Sequence, residues 1–340
     1  MKASIHNKII LLLVTLLTVT GCSSNYKYKI GVSQCVGGRW REKANNEMLS
    51  AQHLYDNDVK VIIKDADNSN DRQCLQIDSL IDEGVDLLVV SPNDYYALNS
   101  SLQRAIDKKI PIVFFDRTTA IKDYTAYIGG DNIEAGRKMA EYAAMLCRDS
   151  VKTDGRQPIV LEMTGPLEIS PAAQRHKGFS ETISRYSNIE YHNIPSKWSH
   201  DDCKRIMQEW LKGGKTVDVV FCHSDLAAIG AYEAAKELHK EHNIHFIGID
   251  GLPGEGIDAV HNGQLSASYI YPTHGEEVIA LALRILEGKP FERVNNLKSF
   301  VVTPQNVADI SLSSNSLIKQ NQYLATIQSK LETYLGFYHI

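Results

Sequence analysis

The feature that most constrains this chain is a regular alternation of short apolar segments with amphipathic ones, repeated in two series. The first series begins at Tyr28 and includes the apolar segment 111–116, and the second begins at 158–165 and includes 245–251. Strands that are apolar throughout and separated by helices are typical of parallel sheets covered on both faces. The 340 residues are enough for two such domains. The sequence therefore predicts an α/β protein with two doubly wound, Rossmann-like parallel-sheet lobes.

Composition and charge limit the classes of function. The chain is 43% hydrophobic and 23% charged, which is typical of a globular protein. Its net charge of -5 argues against a nucleic-acid or anionic-membrane partner, because such partners usually require a basic face.

The N-terminus carries the features of an export signal. Lys2 and Lys8 precede an apolar run over 9–19 that leads into Val19-Thr20-Gly21-Cys22. A basic start, a short apolar core and small residues before a cut site make a secretory signal, and the run is too short to span a bilayer comfortably. The segment "VTGC" also resembles the bacterial lipobox, in which the cysteine is lipidated. We expect 1–22 to be a signal peptide with a lipobox and the protein to be periplasmic and anchored through Cys22; a plain signal peptide is the alternative.

Polar side chains follow several of the predicted strands. In "PIVFFDR" (111–117), four apolar residues run straight into Asp116 and Arg117, and Asp250 closes a later strand in the same way. Ligands of doubly wound sheets bind beyond the carboxyl ends of the strands. Ordinary loop polarity explains one or two such residues. Repeated carboxylates and hydroxyls after apolar strands predict a polar, hydroxyl-rich ligand.

An ordered set of motifs resembles the type I periplasmic sugar-binding proteins, the ribose- and galactose-binding group whose fold is shared with the effector domain of the lac repressor. The motifs include "KIGVSQ", "PIVFFDR", "YIGGDNIEAGRKMA", "AAQRHKGF", "DVVFCHSDLAAIGAYEA" and "FIGIDG". The resemblance implies three crossings between lobes, near Gly130, Tyr271 and Val301, which form a three-strand hinge. It implies an N-terminal lobe of 27–129 plus 273–300 and a C-terminal lobe of 131–270 plus 302–312. A sugar between the lobes would be enclosed when the hinge closes.

The resemblance also implies individual ligand contacts. Asp116 and Arg117 would accept from and donate to sugar hydroxyls; a salt bridge that pins a loop is the alternative. Arg175 and Asp250 match an arginine and a carboxylate of the second lobe. Trp40 falls where the family places an aromatic ring, which suits the C–H face of a sugar; a packing residue is the alternative.

Further candidates lie where this chain departs from the family pattern. "GGRWRE" (37–42) brings two extra arginines, including Arg41, into a position where the family has asparagine and phenylalanine. The family usually has an asparagine directly before an aspartate after a later strand, but here the order is His223-Ser224-Asp225. Tyr271 stands where ribose binders carry a glutamine or similar residue. These departures leave the sugar open, including an acidic or phosphorylated one.

Two segments resemble a subset of this family more closely, the periplasmic sensor domains of hybrid two-component sensor kinases. They are "SQC…RWREKANNEM" and "SYIYPTHGEEVIALAL". Beyond 312, leucines and a tyrosine recur every seven residues at Leu317, Leu324, Leu331 and Tyr338, which predicts an amphipathic C-terminal helix over 313–340. This helix could form a homodimer or pack on its own lobe.

We therefore expect the sugar-sensing domain of a truncated two-component receptor, with a sensor kinase module as partner. A substrate-binding lipoprotein of an ABC-type importer, with a permease as partner, is the alternative.

The enzyme interpretations fail on motif spacing and charge. "GVSQCVGG" (31–38) lacks the dinucleotide-binding spacing, and no GxSxG elbow is present. Asp116 and Asp250 could form a glycosidase pair, but the adjacent Arg117 favours an ionised Asp116, which cannot act as a general acid. The histidines of 239–245 straddle a helix end and are interpreted as solvated. We expect binding without chemistry, no cofactor and no metal.

Overall fold

The computed structural model describes residues 26–55, 58–149 and 155–310 of the chain. The signal peptide, Cys22 and the predicted C-terminal helix over 313–340 lie outside these residues. The first series of elements is β1 (Tyr28–Gln34), α1 (Arg39–Gln52), β2 (Val59–Asp65), α2 (Asn70–Asp82), β3 (Leu87–Val90), α3 (Asn99–Asp107), β4 (Ile112–Phe115) and β5 (Ala126–Gly130).

The second series begins directly after β5. It consists of α4 (Asn132–Asp149), β6 (Ile159–Thr164), α5 (Ser170–Ile183), β7 (Glu190–Pro195), α6 (His200–Lys212), β8 (Val219–Cys222), α7 (Asp225–Glu237), β9 (His245–Asp250), α8 (Gly256–His261) and β10 (Ala267–Ile270). The chain then continues through α9 (Gly275–Leu286), β11 (Val294–Leu297) and β12 (Val301–Val302).

The strands form two six-stranded sheets. The first has the order β11-β5-β4-β3-β1-β2 and is parallel throughout, and the second has the order β12-β10-β9-β8-β6-β7. In the second sheet the two-residue β12 runs antiparallel to β10, whereas the pairings among β10, β9, β8, β6 and β7 are parallel. The predicted α/β class with two doubly wound parallel sheets is confirmed.

The central strands are short and completely buried, which explains their apolar sequences. All four residues of β3, β4 and β8 are buried, because helices cover both faces of each sheet. Within the described ranges, no helix is long and apolar enough to cross a membrane.

Over the residues that the structure describes, the chain changes sheets three times. After β5 it enters α4, whose Met139 packs in one apolar cluster with Phe221 of the second sheet. After β10 it returns to the first sheet through α9, whose Val278 packs in one cluster with Met48 of α1. After β11 it passes back to the second sheet as β12. The carboxyl ends of both sets of strands therefore lie near the same three connections.

Helix α1 begins early in the segment after β1, within the motif "GGRWRE" (37–42). Gly38, at φ 112°, ends the loop after β1, and Arg39 is the first helical residue. This early start places Arg39, Trp40 and Arg41 in the first turn of α1, directly above the carboxyl end of β1.

Helices α4 and α5 approach each other through two glycines. A Cβ atom at Gly136 would lie 2.1 Å from the carbonyl oxygen of Arg175, and one at Gly178 would lie 2.1 Å from that of Ile133. Backbone atoms cannot give way as a flexible side chain can. The close approach therefore requires glycine at both positions, and it determines where α5 presents Arg175.

We predict that Gly178→Ala lowers the free energy of unfolding by about 1–3 kcal/mol, because the added methyl forces the two helices apart. Urea unfolding would measure this change. Gly37→Ala is the control, since the nearest atom to its new Cβ lies 3.4 Å away. Equal stability of the two variants would contradict the packing argument.

Candidate ligand-binding cleft

A cleft of ≈ 820 Å³ lies between the carboxyl ends of the two sheets. It contains eight of the nine ligand-binding residues predicted from the sequence, drawn from the first sheet, the second sheet and the crossover after β10: Trp40, Arg41, Asp116, Arg117, Arg175, Ser224, Asp250 and Tyr271. The ninth, Asp225, does not line it. Arg39, the other arginine of "GGRWRE", also lines the cleft, as do Trp198 and Glu255, which were not predicted as contacts.

Asp116 forms a buried ion pair with Arg41. Asp116 directly follows β4 with a left-handed backbone (φ 65°), and its N–H donates to the carbonyl of Ile128 at 3.0 Å. The guanidinium of Arg41 donates to the Asp116 carboxylate and lies 4.7 Å from the ring of Trp40. Only 5% of Arg41 and 7% of Asp116 is exposed. The sequence pointed to the adjacent Arg117 as the partner, but its Nε lies 3.9 Å from the carboxylate.

Burial alone would raise the pKa of Asp116, but nearby cations outweigh it. The charges of Arg41, Arg117 and Arg175 hold the pKa of this carboxyl below its ordinary value. Asp116 is therefore ionised at neutral pH. An ionised carboxylate accepts hydrogen bonds from hydroxyls, but it has no proton to give as a general acid.

Arg117 brings an unsatisfied donor to the cleft. Its Nε is buried and has no hydrogen-bond partner among the described residues. Burial lowers the pKa of Arg117 from its ordinary value. Buried donors are nearly always paired, so an oxygen atom in the cleft is a partner that this group can use.

Arg175 is held rigidly in the second half of the cleft. Its Nε donates to Asn132 Oδ1 at 2.9 Å, and its guanidinium donates to the carbonyl of His223. The guanidinium carbon lies 4.6 Å from the ring of Tyr271 and 5.4 Å from that of Trp198. These contacts preorganise a cation between two aromatic rings.

Trp198 is a cleft residue that sequence analysis missed. It follows β7 with a left-handed backbone (φ 61°), and its Nε1–H donates at 3.0 Å to the same His223 carbonyl that Arg175 uses. The available signal was its position: an aromatic residue just beyond the carboxyl end of a predicted strand.

A buried polar network lies behind this shared carbonyl. Glu162, in the middle of β6, accepts hydrogen bonds from His223 Nε2 and His176 Nδ1, both at 2.8 Å, and from the hydroxyl of Tyr191. Burial acts to raise the pKa of Glu162, but these hydrogen bonds hold it below its ordinary value. Burial lowers the pKa of His223. A neutral His223 that donates from Nε2 and accepts from Gly165 N–H at Nδ1 fits this arrangement.

Asp225 lies behind the cleft rather than in it. The neighbouring Ser224 lines the cleft and caps α7, accepting from the N–H of Ala227. Asp225 is completely buried, and its Oδ2 accepts from Gly251 N–H and from the hydroxyl of Ser268, both at 2.7 Å. It therefore fixes the loop that follows β9. Burial raises the pKa of Asp225 to about 7.

Asp250 ends β9, and its carboxyl group faces the cleft without a hydrogen bond from any described residue, whereas its backbone carbonyl accepts from Tyr271 N–H at 3.1 Å. Burial raises its pKa well above the ordinary value, and Arg175 opposes this shift. A carboxyl group in this state can donate as well as accept, which suits a ligand with several hydroxyls. Within the described ranges, no group of three or more histidine, cysteine or acidic residues could hold a metal ion.

We predict that Asp225→Asn reduces the loss of stability between pH 5 and pH 8. The pKa of Asp225 in the folded state exceeds the unfolded value, so its stabilising contribution is present at low pH and is lost as pH rises through about 7. The wild type should lose about 2–3 kcal/mol more than the variant over this range. Urea unfolding at the two pH values measures it.

Asp201→Asn is the control for this experiment, because the Asp201 side chain is 98% exposed. If wild type and Asp225→Asn lose equal stability between the two pH values, the buried carboxyl does not titrate in this range.

Comparison with known proteins identifies relatives of this architecture. The periplasmic binding protein domain model matches residues 30–290. A ribose import binding protein of Salmonella typhimurium is 25% identical over 231 residues, which cover 67% of this chain and 75% of that protein. The galactofuranose-binding protein of Escherichia coli K12 is 28% identical over 250 residues, which cover 70% of this chain and 76% of the relative.

Solved structures agree with these matches. The fructose-binding periplasmic domain of a hybrid two-component system is 34% identical with a TM-score of 0.79, and the match covers 89% of this chain and 99% of that one. A solute-binding protein of Bacillus halodurans C-125 with bound myo-inositol has the same fold, with 24% identity, a TM-score of 0.77 and coverage of 84% and 98%. The family resemblance inferred from the sequence motifs is confirmed, and the chain belongs to the periplasmic binding protein domain family.

Proposed function

We propose that the protein binds a mono- or small saccharide in the cleft between its sheets and performs no chemistry on it. The observation that carries this proposal is the ionised Asp116, held by Arg41, in a cleft that also contains the unpaired Asp250 carboxyl. Acceptors and donors from both sheets line one volume, as recognition of a ligand with many hydroxyls requires. The sugars named for the relatives, ribose, galactofuranose and fructose, support this class of ligand.

The proposal assigns distinct roles to the cleft residues. Asp116 accepts hydrogen bonds from sugar hydroxyls, while Arg117 and Arg175 donate to sugar oxygens. Charge-assisted hydrogen bonds of this kind are stronger than neutral ones in a dry cleft. Trp40 and Trp198 provide apolar surface for C–H groups.

Three other predicted residues have less direct roles. Arg41 positions Asp116, and Tyr271, whose hydroxyl donates to Gly130 at 3.2 Å, lies at the crossover between the sheets. Asp225 is omitted as a contact, because it is completely buried behind the cleft, where its Oδ2 accepts from Gly251 and Ser268.

We divide the chain into an N-terminal lobe of 27–129 plus 273–300 and a C-terminal lobe of 131–270 plus 302–312. The membership of the strands in the two sheets supports this division. Closure about the three connections would enclose the sugar between the lobes.

We further propose that the protein is the periplasmic sensing domain of a two-component receptor. The 34% identity to a periplasmic domain of a hybrid two-component system supports this assignment. An importer component is the second candidate, supported by the ribose import binding protein of Salmonella typhimurium. In either case we propose membrane anchoring through Cys22.

We expect Asp116→Ala and Arg175→Ala each to weaken sugar binding about tenfold or more. Each substitution removes charge-assisted hydrogen bonds, a loss of roughly 1.5–3 kcal/mol. Calorimetry against common pentoses, hexoses and sugar acids first identifies the ligand and then compares the variants. Arg205→Ala is the control, because Arg205 is 55% exposed and pairs on the surface of α6. If no sugar of the panel binds, or if both variants bind the ligand with unchanged affinity, the result would count against this site.

The sensor proposal makes a prediction about size. The seven-residue repeat over 313–340 supplies about three heptads, which are marginal alone but add to a contact between lobes. Residues 27–340 should therefore dimerise more strongly than 27–312 in sedimentation at tens of micromolar. A monomer in every case, with and without sugar, would favour the importer candidate, since an importer component requires no dimer.

A further inference from the structure

The guanidinium of Arg39 joins the two sides of the cleft at a position where about half of the side chain is exposed to solvent. Arg39 opens α1, above the first sheet, and the loop that it contacts follows β9 of the second sheet. Its Nη1 and Nη2 donate to the carbonyls of Gly254 and Pro253, each at 2.9 Å, and Nη1 lies 3.4 Å from Glu255 Oε2. The planar fork of arginine can serve two carbonyls and a carboxylate at once.

These bonds differ from the other contacts between the two sides. Among the described residues, the remaining side-chain hydrogen bonds that join the lobes as we divide them lie at the crossover segments. Trp40 Nε1, for example, donates to the Tyr271 carbonyl at 2.9 Å, immediately after β10. Contacts within hinge segments persist when a cleft opens, whereas a contact between parts of the two lobes outside those segments breaks as the lobes separate. The bonds of Arg39 to Pro253 and Gly254 are of the second kind.

The loop that receives Arg39 is held from behind. Asp225 accepts from Gly251 N–H at 2.7 Å, and Asp258 accepts from Gly254 N–H at 3.2 Å. Gly254 has φ +73°, and a Cβ atom there would lie 2.9 Å from Arg39 Nη2. The two carbonyls are thus presented by a rigid loop, and the arginine fits closely against a residue without a side chain.

We propose that Arg39 is a latch that stabilises the closed arrangement of the two lobes. All its bonds are made within the protein, so the latch acts whether or not a sugar is bound. Its effect is to slow the opening of the cleft, and hence the release of a ligand, without a requirement for contact with that ligand. The proposal rests on the proposed closure of the lobes but not on the identity of the sugar.

The test compares the shape of variants in solution without added sugar. Arg39→Met keeps the apolar stem of the side chain and removes the fork. Arg205→Met is the matched control, because the Arg205 side chain is 55% exposed, against 54% for Arg39, and both of its ion pairs lie within α6. Small-angle X-ray scattering should give a larger radius of gyration for Arg39→Met than for wild type and control. Loss of the bonds should shift the closed-to-open ratio about fivefold.

A second pair of variants separates the latch from general damage. Gly254→Ala leaves Arg39 intact but crowds its guanidinium, so it should also enlarge the radius of gyration. Glu255→Gln should have a smaller effect, because two of the three acceptors are backbone carbonyls. Urea unfolding checks that each variant is folded.

Identical scattering of wild type, Arg39→Met and Gly254→Ala would overturn the latch. That result would not bear on the proposal that the cleft binds a sugar, since calorimetry tests binding separately. If no sugar binds but Arg39→Met has a larger radius of gyration than wild type, the latch is retained and the proposed ligand class is rejected.

Discussion

The buried ion pair between Asp116 and Arg41 is the interaction on which the organisation of the cleft depends. Two charges removed from water carry a desolvation cost of several kcal/mol each, which only close pairing can offset. Removal of one partner leaves the other buried and uncompensated. The protein meets this requirement with a left-handed Asp116 at the end of β4 and an early start of α1 that brings Arg41 above it. The same arrangement keeps an ionised acceptor in the cleft.

The second half of the cleft is organised by backbone rather than by an ion pair. The carbonyl of His223 accepts from both Arg175 and Trp198, and the His223 ring is fixed from behind by Glu162. A single peptide group thus positions a cation and an indole. Buried networks of this kind are rigid only when each member is satisfied, and Glu162 has three donors. The cleft therefore combines one half held by a buried ion pair with a second half in which a shared carbonyl and a polar network hold the Arg175 cation.

Much of the cleft could be predicted from local sequence because parallel strands deliver their carboxyl ends to one edge. Asp116, Arg117 and Asp250 each follow an apolar strand, and the topology of a doubly wound sheet then places them at the ligand edge. Asp225 was predicted to contact the ligand but does not line the cleft, and the reason also lies in the local structure. At the start of α7, Ser224 faces the cleft, and the next residue turns behind it toward Gly251. Sequence adjacency does not reveal on which side of a helix start a side chain lies.

The sequence by itself determined the fold class, the two series of strands and the polar residues that close them, since these depend on apolar periodicity and on residues close in the chain. Only the tertiary structure decided which side chains pair with one another in the cleft. Arg41 and Asp116 are 75 residues apart, and Arg39 and Gly254 are 215 apart. Trp198, in the loop after β7, meets Arg175 of α5 only because both residues converge on the carbonyl of His223, which follows β8. Contacts between distant segments depend on how the helices pack and where each one begins, and neither is encoded in the local pattern.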